Sequence, residues 1–340
     1  MTARCYLNVE SKPMAKTGKS HKKQHFVPQC YTKAWHDTSA PASPTRTPYV
    51  WVFNTDGTGA HRKAPANLFT ETDIYTIVRP DGQRDLRLEH GFQELEDKFT
   101  RVRNLKFNRR VWPDAADLAW VIGFAATAQA RTAAHRNFHR EQWAGIRNRM
   151  EDFQATFEAA PPERKEAMTR VGLHSQNSGP GMTLDDVRRL EAQPIQKMIG
   201  PTLRSVIPVL AKMHAAVLCT DDPLGFVTTD TPCTWFDPEA YKLQPIFRSP
   251  ALGAPTIEVT LPISPRQCLV ITHRPDFHGY IDVDQRVVDE VNRRHIAHCD
   301  ESFISQSEAT KPVWFEQPPI PEDAWEKVRE RKIASGEWPV

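Results

Sequence analysis

The chain has 340 residues, 39% of them hydrophobic and 25% charged, enough to bury a substantial core as one large or two ordinary domains. Its 44 Lys and Arg against 42 Asp and Glu leave a formal charge of +2, so overall charge selects no polyanionic partner. The six cysteines include no CxxC pair, which argues against a zinc ribbon, a dithiol redox motif and a dense disulfide framework.

Residues 1–24 read as a disordered basic leader in which Lys12, Lys16, Lys19, Lys22 and Lys23 repel one another. It has no apolar signal core, and the longest apolar run, 118–130, is too short to span a bilayer. A cytoplasmic protein with reduced thiols and no membrane partner is expected. From Pro28 a short helix is predicted, with Val27, Tyr31 and Ala34/Trp35 on its apolar face. "YVWVFN" before "TDGTG" reads as strand then turn, and "DIYTIV" (73–78) as a second strand. The clearest element is a helix over 86–105, on which Leu88, Phe92, Leu95, Phe99 and Val102 form one stripe.

Residues 114–158 predict one or two further helices, the first hydrophobic, broken by "PP" at 161–162. "TLDD" resembles a capping box opening a helix at Thr183, and helical pattern runs on to about Leu218 through Pro194, Pro201 and Pro208. The last third is β-rich in "GFVTTD", "TIEVTLPI" and "QCLVITH", followed by a helix and a short strand. These elements predict an α+β fold: a central helical bundle with a small mixed sheet drawn from N- and C-terminal strands. The domain reading is a leader over 1–24, a single domain over 25–310 with a flexible insert at 160–182, and a tail or helix over 311–340.

No GxxxxGK[ST], GxGxxG, HExxH or GxSxG motif is present. What remains is a dispersed polar set. His21 and His25 are four apart, a metal-ligand spacing if one helix carries both, but Pro28 starts the helix after them. Glu89 and Glu96 are seven apart on the best helix and project in nearly the same direction. "AQARTAAHR" ends an apolar helix with Gln129, Arg131, His135 and Arg136. A buried Arg131 needs a carboxylate or phosphate partner, and Glu89 and Glu96 are the natural ones. Thr228, Thr229 and Asp230 close a predicted strand, where sites are often assembled and where an Asx turn is the plain alternative. Ser264, just before another buried strand, reads as framework.

In this order, these stretches resemble a bacterial family catalogued as domain of unknown function 4238. Its "HxxPxxYL" element is matched by His25, Pro28 and Tyr31, with Thr32 in place of leucine. Its glutamate pair is matched in "LEHGFQELE", and its "QxRTP" in "QART", with Ala133 in place of proline. "TTDTP" and "PISP" stand for its "TSDNP" and "PLSP", and Asn292 for a late asparagine. The resemblance spans residues 21–305 and implies candidate positions rather than a reaction.

The resulting expectation is a metal-dependent hydrolase acting on phosphodiesters, nuclease-like, with a site assembled from four separated elements. His25, Glu89, Glu96 and Asp230 are its catalytic residues, and His25, Glu96 and Asp230 hold Mg²⁺ or Mn²⁺. Gln129, Arg131, Tyr31 and Thr229 bind substrate, and the Lys-rich leader holds nucleic acid by salt-sensitive contacts. Two alternatives compete: a non-catalytic regulatory protein binding nucleic acid or protein, and an enzyme acting on a nucleotide or other small phosphorylated ligand, which requires a deep pocket rather than an open basic groove. Convergence of Arg131 with the glutamates alone would mark a structural ion pair.

Overall fold

Short strands and one-turn helices come first in the computed structural model, which describes residues 23–39, 48–79, 81–173, 181–317 and 324–335. They are β1 (Lys23–His25), α1 (Gln29–Thr32), β2 (Val50–Asn54), β3 (His61–Lys63), β4 (Thr70–Thr72), β5 (Ile77–Val78) and β6 (Arg84–Asp85). The helical middle holds α2 (Arg87–Leu105), α3 (Ala115–Ala130), α4 (Ala133–Ala159), α5 (Pro162–Leu173), α6 (Leu184–Ala192) and α7 (Pro194–Leu210). Strands return as β7 (His214–Cys219), β8 (Thr228–Thr229), β9 (Thr234–Phe236), β10 (Glu258–Ser264), β11 (Gln267–Thr272) and β12 (Gly279–Asp282). Then come α8 (Gln285–Ala297), β13 (Ser302–Ser305) and α9 (Ala324–Ala334). The class is α+β, as the pattern predicts.

The sheet arrangement is richer than expected. A four-stranded sheet in the order β3-β2-β13-β8 joins strands from both ends of the domain, and every pairing in it is antiparallel. The mixed sheet is a different one, in the order β12-β7-β11-β10-β9, where β12 runs parallel to β7. It draws only on residues 214–282. Two small ladders, β1 with β4 and β5 with β6, complete the described strands.

The helices pack much as their sequence stripe dictates. Phe92, Phe99 and Val102 of α2 are buried, with Leu88 and Leu95 packed against the same core. The Phe99 ring stacks on Phe124 of α3 at 3.8 Å between centroids and 7° between planes. Val27, Tyr31 and Trp35 are each fully buried, so the face predicted for the first short helix is the one that docks. Arg103 of α2 donates to the carbonyls of Cys30 and Tyr31, satisfying groups that a one-turn helix leaves open. Thr183 and Asp186 form the capping box expected at the start of α6.

Three local readings change. Within 73–78 only Ile77–Val78 is strand; Asp73 sits at a φ of 58°, a left-handed turn that no strand accommodates. Helical pattern does not continue to Leu218: α7 ends at Leu210, and His214–Cys219 becomes a strand flanked by β11 and β12. Pairing on both sides overrides the helical propensity of "HAAVLC". In the stretch read as a flexible insert, Pro162–Leu173 is helical, because proline suits a first helical turn. Residues 174–180 of that insert, and 1–22 of the leader, lie outside the described residues.

The segment read as a C-terminal tail contributes to the core. Trp314 is 1% exposed and donates through Nε1 to Asp289 at 2.7 Å, while Lys311 Nζ bridges Asp222 and Asp289 at 2.9 Å each. Gly225, at a φ of 66°, holds the approach to β8: a Cβ there would meet the Pro265 carbonyl oxygen at 2.1 Å.

Candidate active-site cleft and the Arg131 node

His25, Glu89 and Glu96, among the residues singled out in the sequence, gather around Arg131. The α3–α4 junction is made by two adjacent residues: Arg131 caps the end of α3, and Thr132 accepts from the His135 N–H to cap the start of α4. Arg131 is 2% exposed, and its guanidinium is held on several sides. Nη1 pairs with Glu96 Oε1 at 2.8 Å, Nη2 donates to the His25 carbonyl at 2.7 Å, and Nε donates to the Phe26 carbonyl at 3.1 Å and the Tyr75 hydroxyl at 3.2 Å. Tyr75 donates in turn to the Arg131 carbonyl at 3.0 Å. The Phe92 ring lies 4.7 Å from the guanidinium carbon. Burial alone would weaken the guanidinium's hold on its proton, but Tyr75 and Glu96 outweigh it and the net shift is upward.

Glu89 joins this node electrostatically. With Glu96 it adds to the burial that pushes the Tyr75 phenol upward. His25 enters through its backbone, while its Nε2 is buried without a hydrogen-bond partner among the described residues. Burial lowers the His25 value; the Pro65 carbonyl opposes this and the Arg131 charge adds to it. Gln129 is half-buried on the last turn of α3.

The other expected site residues lie in framework contacts. Tyr31 is fully buried; its hydroxyl donates to the Pro262 carbonyl at 2.6 Å and shares a 2.7 Å hydrogen bond with Thr228 Oγ1. Thr229 Oγ1 accepts from the Thr231 N–H at 3.0 Å. Both carboxylate oxygens of Asp230 are engaged by the loop entering β13: Oδ1 accepts from the Asp300 N–H at 2.9 Å, and Oδ2 from those of Glu301 and Ser302 at 2.6 and 3.0 Å. Asn292 spans the Gly225 carbonyl and the Val227 N–H, both at 2.9 Å. Asp230 therefore braces a turn. Among the described residues, no three His, Cys, Asp or Glu side chains gather as a metal-holding group, so the expected ligand set of His25, Glu96 and Asp230 does not assemble.

A polar cleft of about 460 Å³ lies beside this node. Its floor is one face of the four-stranded sheet, as the register dictates: His61 opposes Val52, Val52 opposes Ile304, and Asn54 opposes Ser302. His61 and Lys63 are two apart on β3 and so share that face, while Arg62 points the other way over the Tyr49 and Trp51 rings. Phe26, Asn67 to Glu71, and Ala133 and Ala134 at the start of α4 form the opposite wall, and Asp230, Asp300 and Glu301 close one end. Glu71 is paired with Arg136.

Two titratable groups of the cleft are His61 and Asp300. His61 Nδ1 lies 2.8 Å from the Gly59 carbonyl, which can only accept, so Nδ1 is the donor and Nε2 is the ring nitrogen left outside that bond. Burial raises the Asp300 carboxyl above the usual carboxylate value, and the Asp230 charge raises it further. Sequence reasoning missed His61, Lys63 and Asp300. The available signal was the second arm of the "TDGTG" hairpin, where "HRK" puts two cationic or titratable groups on one face at a spacing of two.

An α+β protein with a shared antiparallel sheet and a polar cleft above it is thus defined by its own geometry. The chain belongs to the family described as Protein of unknown function (DUF4238), whose family model matches residues 23–309. No curated protein and no solved structure is significantly similar to it. Among the described residues no helix is long and apolar enough to cross a membrane.

Proposed function

We propose that the protein is a hydrolase acting on phosphodiesters, and that it works in the cleft above the four-stranded sheet on a substrate of nucleotide size. The observation that carries this reading is the presence of His61, Lys63 and Asp300 in one cleft. Its volume falls in the range of small-molecule sites, which favours a nucleotide or short oligonucleotide over a duplex lying in an open groove. Lys63 supplies a compact positive charge for a phosphate oxygen. His61 Nε2 accepts a proton from the attacking water as the new P–O bond forms, and the Asp300 carboxyl protonates the leaving oxygen as the old P–O bond breaks.

The test is hydrolysis of bis(4-nitrophenyl) phosphate, a dinucleotide and a single-stranded oligonucleotide, each with EDTA and with added Mg²⁺ or Mn²⁺. His61→Ala and Lys63→Ala should each lower kcat/KM by about 10²-fold while thermal stability is unchanged. Absence of hydrolysis with every substrate, or activity that survives both substitutions, overturns the reading. Salt-dependent retention of the oligonucleotide without cleavage would replace it with a binding role.

A further inference from the structure

The first turns of α4 carry a second cluster, outside the cleft and unused by the chemistry above. His135 and His139 are four apart on one helix face, and their Nε2 atoms lie 2.9 Å from each other with the rings near perpendicular, at 79°. Two imidazoles converging through the same ring nitrogen form a bidentate chelate. The contact is an N–H···N hydrogen bond in which one Nε2 carries the proton that a bound metal would displace. With metal–nitrogen bonds of about 2.05 Å, a right angle at the metal gives a nitrogen separation of about 2.9 Å, and a tetrahedral angle about 3.3 Å. The observed value is that of two neighbouring corners of a square, the geometry of Cu²⁺ and Ni²⁺.

We propose that His135 and His139 form a tetragonal binding site for a late first-row divalent metal ion, Cu²⁺ or Ni²⁺, with water in the remaining positions. Both rings are half-buried, so one side of the pair is closed by protein and the other admits the ion and its water. The nearby Arg131 and Arg136 are already matched, by Glu96 and Glu71, which limits their repulsion of a bound cation. The site owes nothing to the cleft chemistry, and neither reading depends on the other.

The experiment is titration of the full chain with CuSO₄, followed by calorimetry and by electron paramagnetic resonance of the Cu²⁺ complex. One ion per chain is expected, with hyperfine splitting from two equatorial nitrogens. His135→Ala and His139→Gln should each weaken binding roughly tenfold or more, because either leaves a monodentate ligand. His36→Ala, at an exposed distant histidine, should leave it unchanged. Circular dichroism verifies that α4 persists in each variant. An equimolar site retained at wild-type affinity in both His135→Ala and His139→Gln, or a spectrum without nitrogen coupling, overturns the proposal.

Discussion

The Arg131 node and the neighbouring cleft are built from the same kinds of residue and differ in what their polar groups have left to offer. At the node, Arg131, Tyr75, Glu96 and the carbonyls of residues 25 and 26 satisfy one another inside the core. In the cleft, His61 has Nε2 outside its bond to Gly59, and both His61 and Lys63 are exposed. Saturated polar groups stabilise and specify a fold; groups with unused bonding capacity bind and react. A residue's type is visible in a sequence, whereas its remaining valence is set by neighbours from distant segments.

The contrast breaks first at Arg131. Arg131→Met should destabilise the protein by about 3–5 kcal/mol in a denaturant titration, because Glu96 and two buried carbonyls lose their partner. An Arg131→Met variant that keeps wild-type stability but loses hydrolysis would make the node a substrate clamp. Asp230→Asn comes next, at about 2 kcal/mol, since an amide nitrogen would face backbone N–H donors in place of an oxygen. Stability at the wild-type level with lost activity would return Asp230 to a catalytic role.

The third effect is a pH slope, absent near neutral pH and growing with acidification. His295 is fully buried between the hydroxyls of Thr234 and Thr260, at 3.2 and 3.0 Å, and burial lowers it to about 3. The unfolded chain takes up this proton near pH 6.5 and the folded chain only near 3. Stability from this group is complete above pH 6.5 and declines as pH falls toward 3, with a slope of at most about 1.4 kcal/mol per pH unit. His295→Gln should flatten that slope in urea titrations at stepped pH; an unchanged slope would show that other groups carry it.

Much of the helical framework was legible because it is local. The stripe from Leu88 to Val102, the docking face of Val27, Tyr31 and Trp35, and the box at Thr183 each depend on residues a few positions apart. The pairing of Arg131 with a glutamate also followed from elementary cost, since a cation on so apolar a helix requires an anion. The cleft was not legible. His61 and Asp300 share it only because β2 pairs with both β3 and β13, a long-range register that no local pattern encodes. The contacts of Asp230 were hidden for the same reason: its partners are N–H groups near residue 301, invisible from "TTDTP".

That register also sets the order in which the molecule can be completed. Strand β13 lies between β2 and β8, and Asn54 finds its cross-strand neighbour in Ser302. During synthesis the open edge of β2, with Trp51 and Phe53 on the face that later packs with Phe303 and Trp314, emerges from the ribosome long before that partner exists. The shared sheet must therefore close after translation of residue 305, and a chain cut short before that point would present an unpaired hydrophobic edge to its neighbours.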